Sequence, residues 1–277
     1  MSAGLWRSVS GAMVISAMAM VAVADESVMQ TGQDQAAERT VITVAGYDFP
    51  PFVSTVPYPP TGATLDLIES LNAVQDDYEF VFREITAKRR YEDFVEQRYD
   101  LILFEQPEWS WDGLDYQETS VLAYDAEIYI AHEREDRDQS FFDDIGQRKL
   151  IGYLGYHYGF AGLQSDARVL QEQFDITLSR NHRRNLQLIL LDRPDVAEVA
   201  ILTRSFLDSE LATNPEYADK LLISETVDQR YRLRGLLQPD SNLSLESLES
   251  MLVALEEDGT LEALRENYYL LESEPEE

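Results

Sequence analysis

Residues Val41–Leu67 read VITVAGYDFPPFVSTVPYPPTGATLDL, and this stretch decides the fold. Val41 to Ala45 is a short apolar run of β character that stops at Gly46. A rigid corner follows, Phe49-Pro50-Pro51-Phe52, and Gly62 then leads into Leu65-Asp66-Leu67-Ile68, the start of a helix. A strand, an aromatic-proline corner and a glycine before a helix place a loop over the carboxyl edge of an open α/β sheet, where ligands usually bind. Proline fixes its φ in advance, so an aromatic face held there has little entropy left to lose on binding. Asp48, Phe49 and Phe52 are therefore candidate ligand contacts.

Outward from this stretch, strands and helices alternate. Val41–Ala45, Tyr78–Arg83 and Asp100–Leu103 read as strands, with helices at Leu65–Val74 and Tyr91–Gln97 between them. In the second of these helices Tyr91, Phe94 and Val95 share one face. Alternation of this kind predicts a parallel sheet covered by helices. Glu127–Ala131 is a further β run. Leu150–Tyr153 (strand) starts a second unit of this kind, with Leu186–Leu191 read as a helix and Val199–Leu202 as a strand, and Arg230–Leu237 is a later β run. Leu245, Leu248, Met251, Leu252 and Leu255 then repeat at helical spacing; Gly259 ends that helix and Thr260 is placed to cap the next.

Four of these segments, in this order and spacing, resemble the family 3 extracytoplasmic solute-binding proteins, the group that includes the amino-acid-binding proteins of ABC importers. They are the opening stretch, Tyr99-Asp100-Leu101-Ile102, Leu150-Ile151-Gly152-Tyr153-Leu154-Gly155, and Leu245 to Tyr269 around Asp258-Gly259-Thr260. The resemblance covers residues 40–270. It implies the α/β periplasmic-binding-protein fold, with two lobes, two hinge crossings and a ligand cleft between them. The boundaries expected are residues 40–126 and 230–277 for lobe 1 and 127–229 for lobe 2, closing about Ala126 and Arg230.

Composition sets further bounds. The chain has 277 residues, enough for two lobes of ordinary size. Residues 1–24 read as a secretory signal: Arg7, an apolar core at Ala12–Val21 too short for a membrane span, and the cleavage site Ala22-Val23-Ala24. Residues 25–39 read as a loose polar leader. There are no cysteines, which excludes disulfides, thiol catalysis and a lipidated anchor after the signal. The expected location is the periplasm, and the expected state a monomer. With 52 acidic and 22 basic residues the net charge is −30, a field that repels nucleic acid. The acids are spread along the chain, which reads as a solvated surface suited to external salt rather than as a site for a cationic ligand.

Members of the family that bind amino acids usually place an arginine after the Tyr-Asp-Leu-Ile strand, to grip a carboxylate, and an aspartate at the end of a second-lobe strand, to grip the amine. Here the first loop reads Phe104-Glu105-Gln106-Pro107-Glu108-Trp109-Ser110-Trp111, and the second strand runs into Thr203 and Arg204. Trp109 and Trp111, two apart, point the same way on an extended loop and could sandwich a flat ligand with Phe49 and Phe52. The alternative, that they plug the core, stays open. Arg89 is the candidate carboxylate clamp, since the family places pocket residues in its loop; the alternative is a solvated turn paired with Glu92. Arg184 belongs to a second basic pair, Arg183-Arg184, before a predicted helix. Thr203 and Arg204 complete the polar candidates. Tyr156 and His157 occupy the second-lobe turn, where they narrow the cleft, although a lone loop histidine is more often simply exposed.

No metal motif, phosphate-cradling loop or hydrolase triad appears, so no metal, cofactor or catalytic residue is expected. The reading is a periplasmic binding protein for a small polar or aromatic solute bearing a carboxylate, delivering it to an importer permease or a sensor domain. Two alternatives stand beside it. One is a lyase like the cyclohexadienyl dehydratases, with Glu105 as the buried acid. The other is an interaction module that kept the fold without a ligand.

Overall fold

The computed structural model describes residues 39–271 and Ser273. The residues read as a signal, and all of those read as a leader except Arg39, lie outside the described residues.

The opening stretch forms the strand β1 (Thr40–Gly46), the proline-rich loop and the helix α1 (Ala63–Ala73). Gly62 joins loop to helix at φ +131°, and a Cβ there would meet the Phe52 and Pro51 carbonyl oxygens at 2.5 and 2.6 Å, so only glycine fits. Next come β2 (Tyr78–Glu84), α2 (Arg90–Val95), β3 (Leu101–Glu105) and the two-residue β4 (Gln117–Glu118). The strand β5 (Ala123–His132) leads to β6 (Leu150–Tyr153), α3 (Ala167–Gln173), β7 (Ile176–Ser179), α4 (His182–Leu190), β8 (Val199–Thr203) and α5 (Arg204–Thr213). The 17-residue β9 (Leu221–Leu237) returns, and α6 (Leu245–Glu257) and α7 (Thr260–Asn267) pack against α1.

The strands run in the order β2-β1-β3-β9-β5-β8-β6-β7, with β4 beside β9. On each flank the pairing is parallel: β1 with β2 and β3, and β6 with β7 and β8. Parallel strands covered on both faces read as continuous apolar runs, and every residue of β3, β6 and β8 is buried. Between the flanks, β5 and β9 pair antiparallel over most of their length, while the far end of β9 pairs with β3. The residues expected at the hinge, Ala126 and Arg230, are register partners in that ribbon.

The inward face of α2 differs from the one expected. Val95 is exposed while Phe94 is buried, and the other large side chain that α2 buries is Arg90. Thr260 does not cap α7. Gly259 stands at the N-cap, and Asp258 before it accepts from the Thr260 amide through Oδ1 at 2.9 Å. Four of these elements, β4, α3, β7 and α5, lie outside the expectations from sequence.

Candidate ligand-binding site

The carboxyl ends of the central strands meet between the two flanks of the sheet, and an aromatic cavity lies there. Its lining is Tyr47 and Phe49 from the β1 loop, Arg90 from α2, Trp109 from the loop after β3, Tyr156 and His157 from the β6 turn, and Tyr231 from β9. The rings pack edge to face: Phe49 stands 5.2 Å from Tyr156 and 5.7 Å from Trp109, and Trp109 stands 4.9 Å from Tyr231. The free volume left is about 10 Å³, the room of one water molecule.

Arg90 is the charged member of this lining and is 1 % exposed. Its guanidinium lies 4.9 Å from the Tyr47 ring and 4.5 Å from the Tyr91 ring. One terminal nitrogen donates to the Ala87 carbonyl; the other lies 3.4 Å from His157 Nδ1. Nε stands 3.4 Å from Glu105 Oε2 without a hydrogen bond of good geometry. A guanidinium carries five N–H donors, more than these contacts use. Glu105 sits behind it, outside the cavity lining, and accepts from Trp111 Nε1 at 2.8 Å. Burial pushes the Glu105 carboxyl up, against the opposing pull of Arg90 and the Trp111 N–H. Burial likewise lowers the His157 ring to about 3, helped by the Arg90 charge, so His157 is neutral at pH 7.

Direct bonds tie the two sides of the cleft together. Tyr153 Oη donates to Asp48 Oδ2 at 2.9 Å and Tyr156 Oη to the Asp48 carbonyl at 3.0 Å. Thr203 Oγ1 donates to the Pro50 carbonyl at 3.1 Å. Ser110 Oγ lies 3.0 Å from His157 Nε2. Trp109 Nε1 donates to Gln229 Oε1 at 3.0 Å, and Gln229 Nε2 in turn to Glu127 Oε2 at 2.9 Å. Within the second lobe, Gly159 packs directly on β9, where a Cβ would overlap the Asp228 carbonyl oxygen.

The residues expected from sequence divide accordingly. Phe49, Trp109, Tyr156 and His157 come together in the cavity lining. Asp48 and Thr203 stand at the seam of the cleft. Phe52 is core, packed on Phe49 and Phe104 at 4.7 and 5.0 Å. Trp111 is core too, fully buried against Phe94 and Tyr91. The two indoles diverge because the loop is turned rather than extended, and Ser110 between them takes φ 60°. Arg89 lies outside the aromatic cavity. It is exposed, bonded to Asp93 at 2.8 Å, and lines a separate, larger cavity. Its neighbour Arg90 lines the inner one, because α2 begins one residue before the expected start and turns that side chain inward. Arg204 opens α5, where its charge acts on Asp208 one turn on, away from the cavity. His157 is buried, not exposed. Tyr47 and Tyr231 are absent from the expected set, although Tyr47 adjoins the proline corner and continues the strand alternation toward it.

No family model and no curated protein matches the chain. Solved structures do. A mutant of ArgBP from T. maritima superposes with a TM-score of 0.61 at 17 % identity, over 83 % of this chain and 95 % of that one. The chain has the two-lobe fold of the periplasmic binding proteins. A substrate-binding protein of an ABC uptake transporter from Streptococcus pneumoniae, with bound histidine, gives a TM-score of 0.64 at 11 % identity, over 83 % and 92 %. AncCDT-1, an ancestral amino-acid-binding protein and a precursor of cyclohexadienyl dehydratase, gives 0.58 at 14 %, over 83 % and 95 %. At such identities the likeness shows the periplasmic-binding-protein fold and nothing finer.

Proposed function

We propose that the chain is a periplasmic solute-binding protein for a small carboxylate-bearing solute with a flat or apolar body, working with an importer or a sensor. The observation that carries this reading is Arg90: a buried guanidinium in the wall of a cleft cavity whose other walls are aromatic. A charged donor among rings would grip the acid while the rings pack the body of the solute. The fold agrees, since proteins of similar structure include a substrate-binding protein of an uptake transporter with histidine bound. The free volume is far below that of a small-molecule site, so binding starts from parted lobes and displaces the direct seam bonds. Among the described residues no helix is long and apolar enough to cross a membrane. The lyase alternative gains no support from Glu105, which lies behind Arg90 rather than in the cavity lining.

The test is a thermal-shift screen against amino acids, organic acids and sugars, followed by titration of variants. Removing Arg90 alone would strand Glu105 in the core, so Arg90→Met is paired with Glu105→Gln. The double variant should bind the acidic solute roughly ten- to a hundredfold more weakly, from about 1.5–3 kcal/mol for a charge-assisted hydrogen bond. Arg89→Ala should bind as wild type does. A solute without an anionic group, or unchanged affinity in the double variant, rules the reading out.

A further inference from the structure

The cleft mouth carries a second constellation, apart from the Arg90 cavity. A cavity of about 110 Å³ lies where the loop after β1 faces the start of α4, and its polar lining is Asp48, Ser54, Arg180, Asn181, His182 and Arg183. A larger cavity of about 430 Å³ shares Asp48 and Arg180 and adds Lys88 and Arg89 beside one further acid, Glu84. In a chain of net charge −30, basic groups thus gather at one place.

Two observations point to a ligand here. The first is the N-terminus of the nine-residue α4. Asn181 Oδ1 satisfies the Arg184 amide at 2.8 Å, which leaves the His182 and Arg183 amides without an intrahelical acceptor. The second is the His182 side chain. It is 2 % exposed, it lines the cavity, and neither of its ring nitrogens has a hydrogen-bond partner. Tyr153, Tyr156 and Phe206 hold the ring at 4.9, 5.1 and 5.6 Å. A buried polar group left unpaired is costly, and an occupant of the cavity would supply the missing partner. Arg180 is exposed at the rim, and Arg183 reaches Glu210 at 2.5 Å. Asp48 is the one acid in the lining. Thr55 and Tyr153 already donate to its two carboxylate oxygens.

We propose that this cavity binds a small oxyanion, held by the α4 amides, the Arg180 guanidinium and the His182 ring. Asp48 and Ser54 come from one side of the cleft and α4 from the other, so the ion fastens the cleft from its mouth. The Tyr156 ring stands between the two cavities, near Phe49 on one side and His182 on the other, so the oxyanion site is distinct from the Arg90 site.

The test titrates histidine-labelled protein with inorganic phosphate, sulfate and acetate at ionic strength fixed with NaCl, following the ring resonances of its three histidines and the thermal midpoint. Phosphate or sulfate should move the His182 resonances saturably and raise the midpoint. Arg180→Ala, an exposed change that leaves the fold intact, should weaken binding about tenfold. The Arg90→Met/Glu105→Gln variant should bind the ion as wild type does, which separates this proposal from the solute reading. Acetate binding as tightly as phosphate upholds the proposal and extends it to carboxylates; phosphate or sulfate binding alone upholds it for tetrahedral oxyanions. His182 resonances that do not move, or equal affinity in Arg180→Ala, overturn it.

Discussion

Two neighbouring pairs show how much a single position decides. Arg89 and Arg90 differ by one residue, yet one is exposed with Asp93 and the other is sealed among tyrosines beside Glu105. Trp109 and Trp111 part in the same way about Ser110. Trp111→Phe removes the N–H that Glu105 accepts, in a fully buried place, and should lower stability by roughly 2–4 kcal/mol in denaturant unfolding. Trp109→Phe leaves only a neutral amide oxygen of Gln229 without its donor and should cost less. It should also abolish most of the fluorescence change on solute binding. Equal unfolding midpoints for wild type and Trp111→Phe would refute this assignment. Part of the cavity lining is legible in the sequence: of the candidates, Phe49, Trp109, Tyr156 and His157 do meet. Their neighbours are not, because a turned loop or a one-residue shift in a helix start redirects a side chain without leaving a periodic trace.

At the scale of elements, β1, β2, β6 and β8 are readable from sequence, and β6 and β8 most clearly, because a covered parallel strand is apolar throughout. The elements α3 and β7 are not, since Leu170 and Ile176 are their only buried residues and give no period. The strand β5 carries buried acids of another kind. Asp125 is 1 % exposed and accepts from the Ala126 amide at 2.7 Å, the Ser205 amide at 3.2 Å and the Ser205 hydroxyl. Burial pushes its carboxyl up to about 7, against those hydrogen bonds. An acid raised in the folded state keeps a proton that the unfolded chain releases near pH 4, so its contribution falls as pH rises from about 4 to 7 and is level above that. His157 and His182, lowered by burial to about 3 and about 4, act oppositely: their contribution falls as pH drops below about 6.5. The variant Asp125→Asn isolates the first effect. Between pH 4 and 8 its stability relative to wild type should shift in its favour by up to about 4 kcal/mol. A difference independent of pH would show that Asp125 does not titrate in the fold.

For the whole molecule, charge matters most. A net charge of −30 repels itself in the compact state, and the screening length falls from about 30 Å at 0.01 M salt to about 3 Å at 1 M. The thermal midpoint should therefore rise with NaCl and with choline chloride alike, by roughly 2–4 °C for each kcal/mol of repulsion removed. A midpoint insensitive to both salts would mean that the acids are already balanced locally. The crossings between lobes are legible as apolar runs, but their continuity is not: β9 reads as a return segment from Arg230 and is in fact one strand from Leu221. That continuity constrains how the protein moves. Because β5 and β9 are zipped into one ribbon, a motion between the lobes would have to twist a two-stranded spring rather than swing on two slack cords. The register shifts at Glu127/Ile128 and Ile128/Ile130 interrupt the ladder and are where such a spring would yield. The stiffness of those few peptide units would then set how often the cleft admits a visitor.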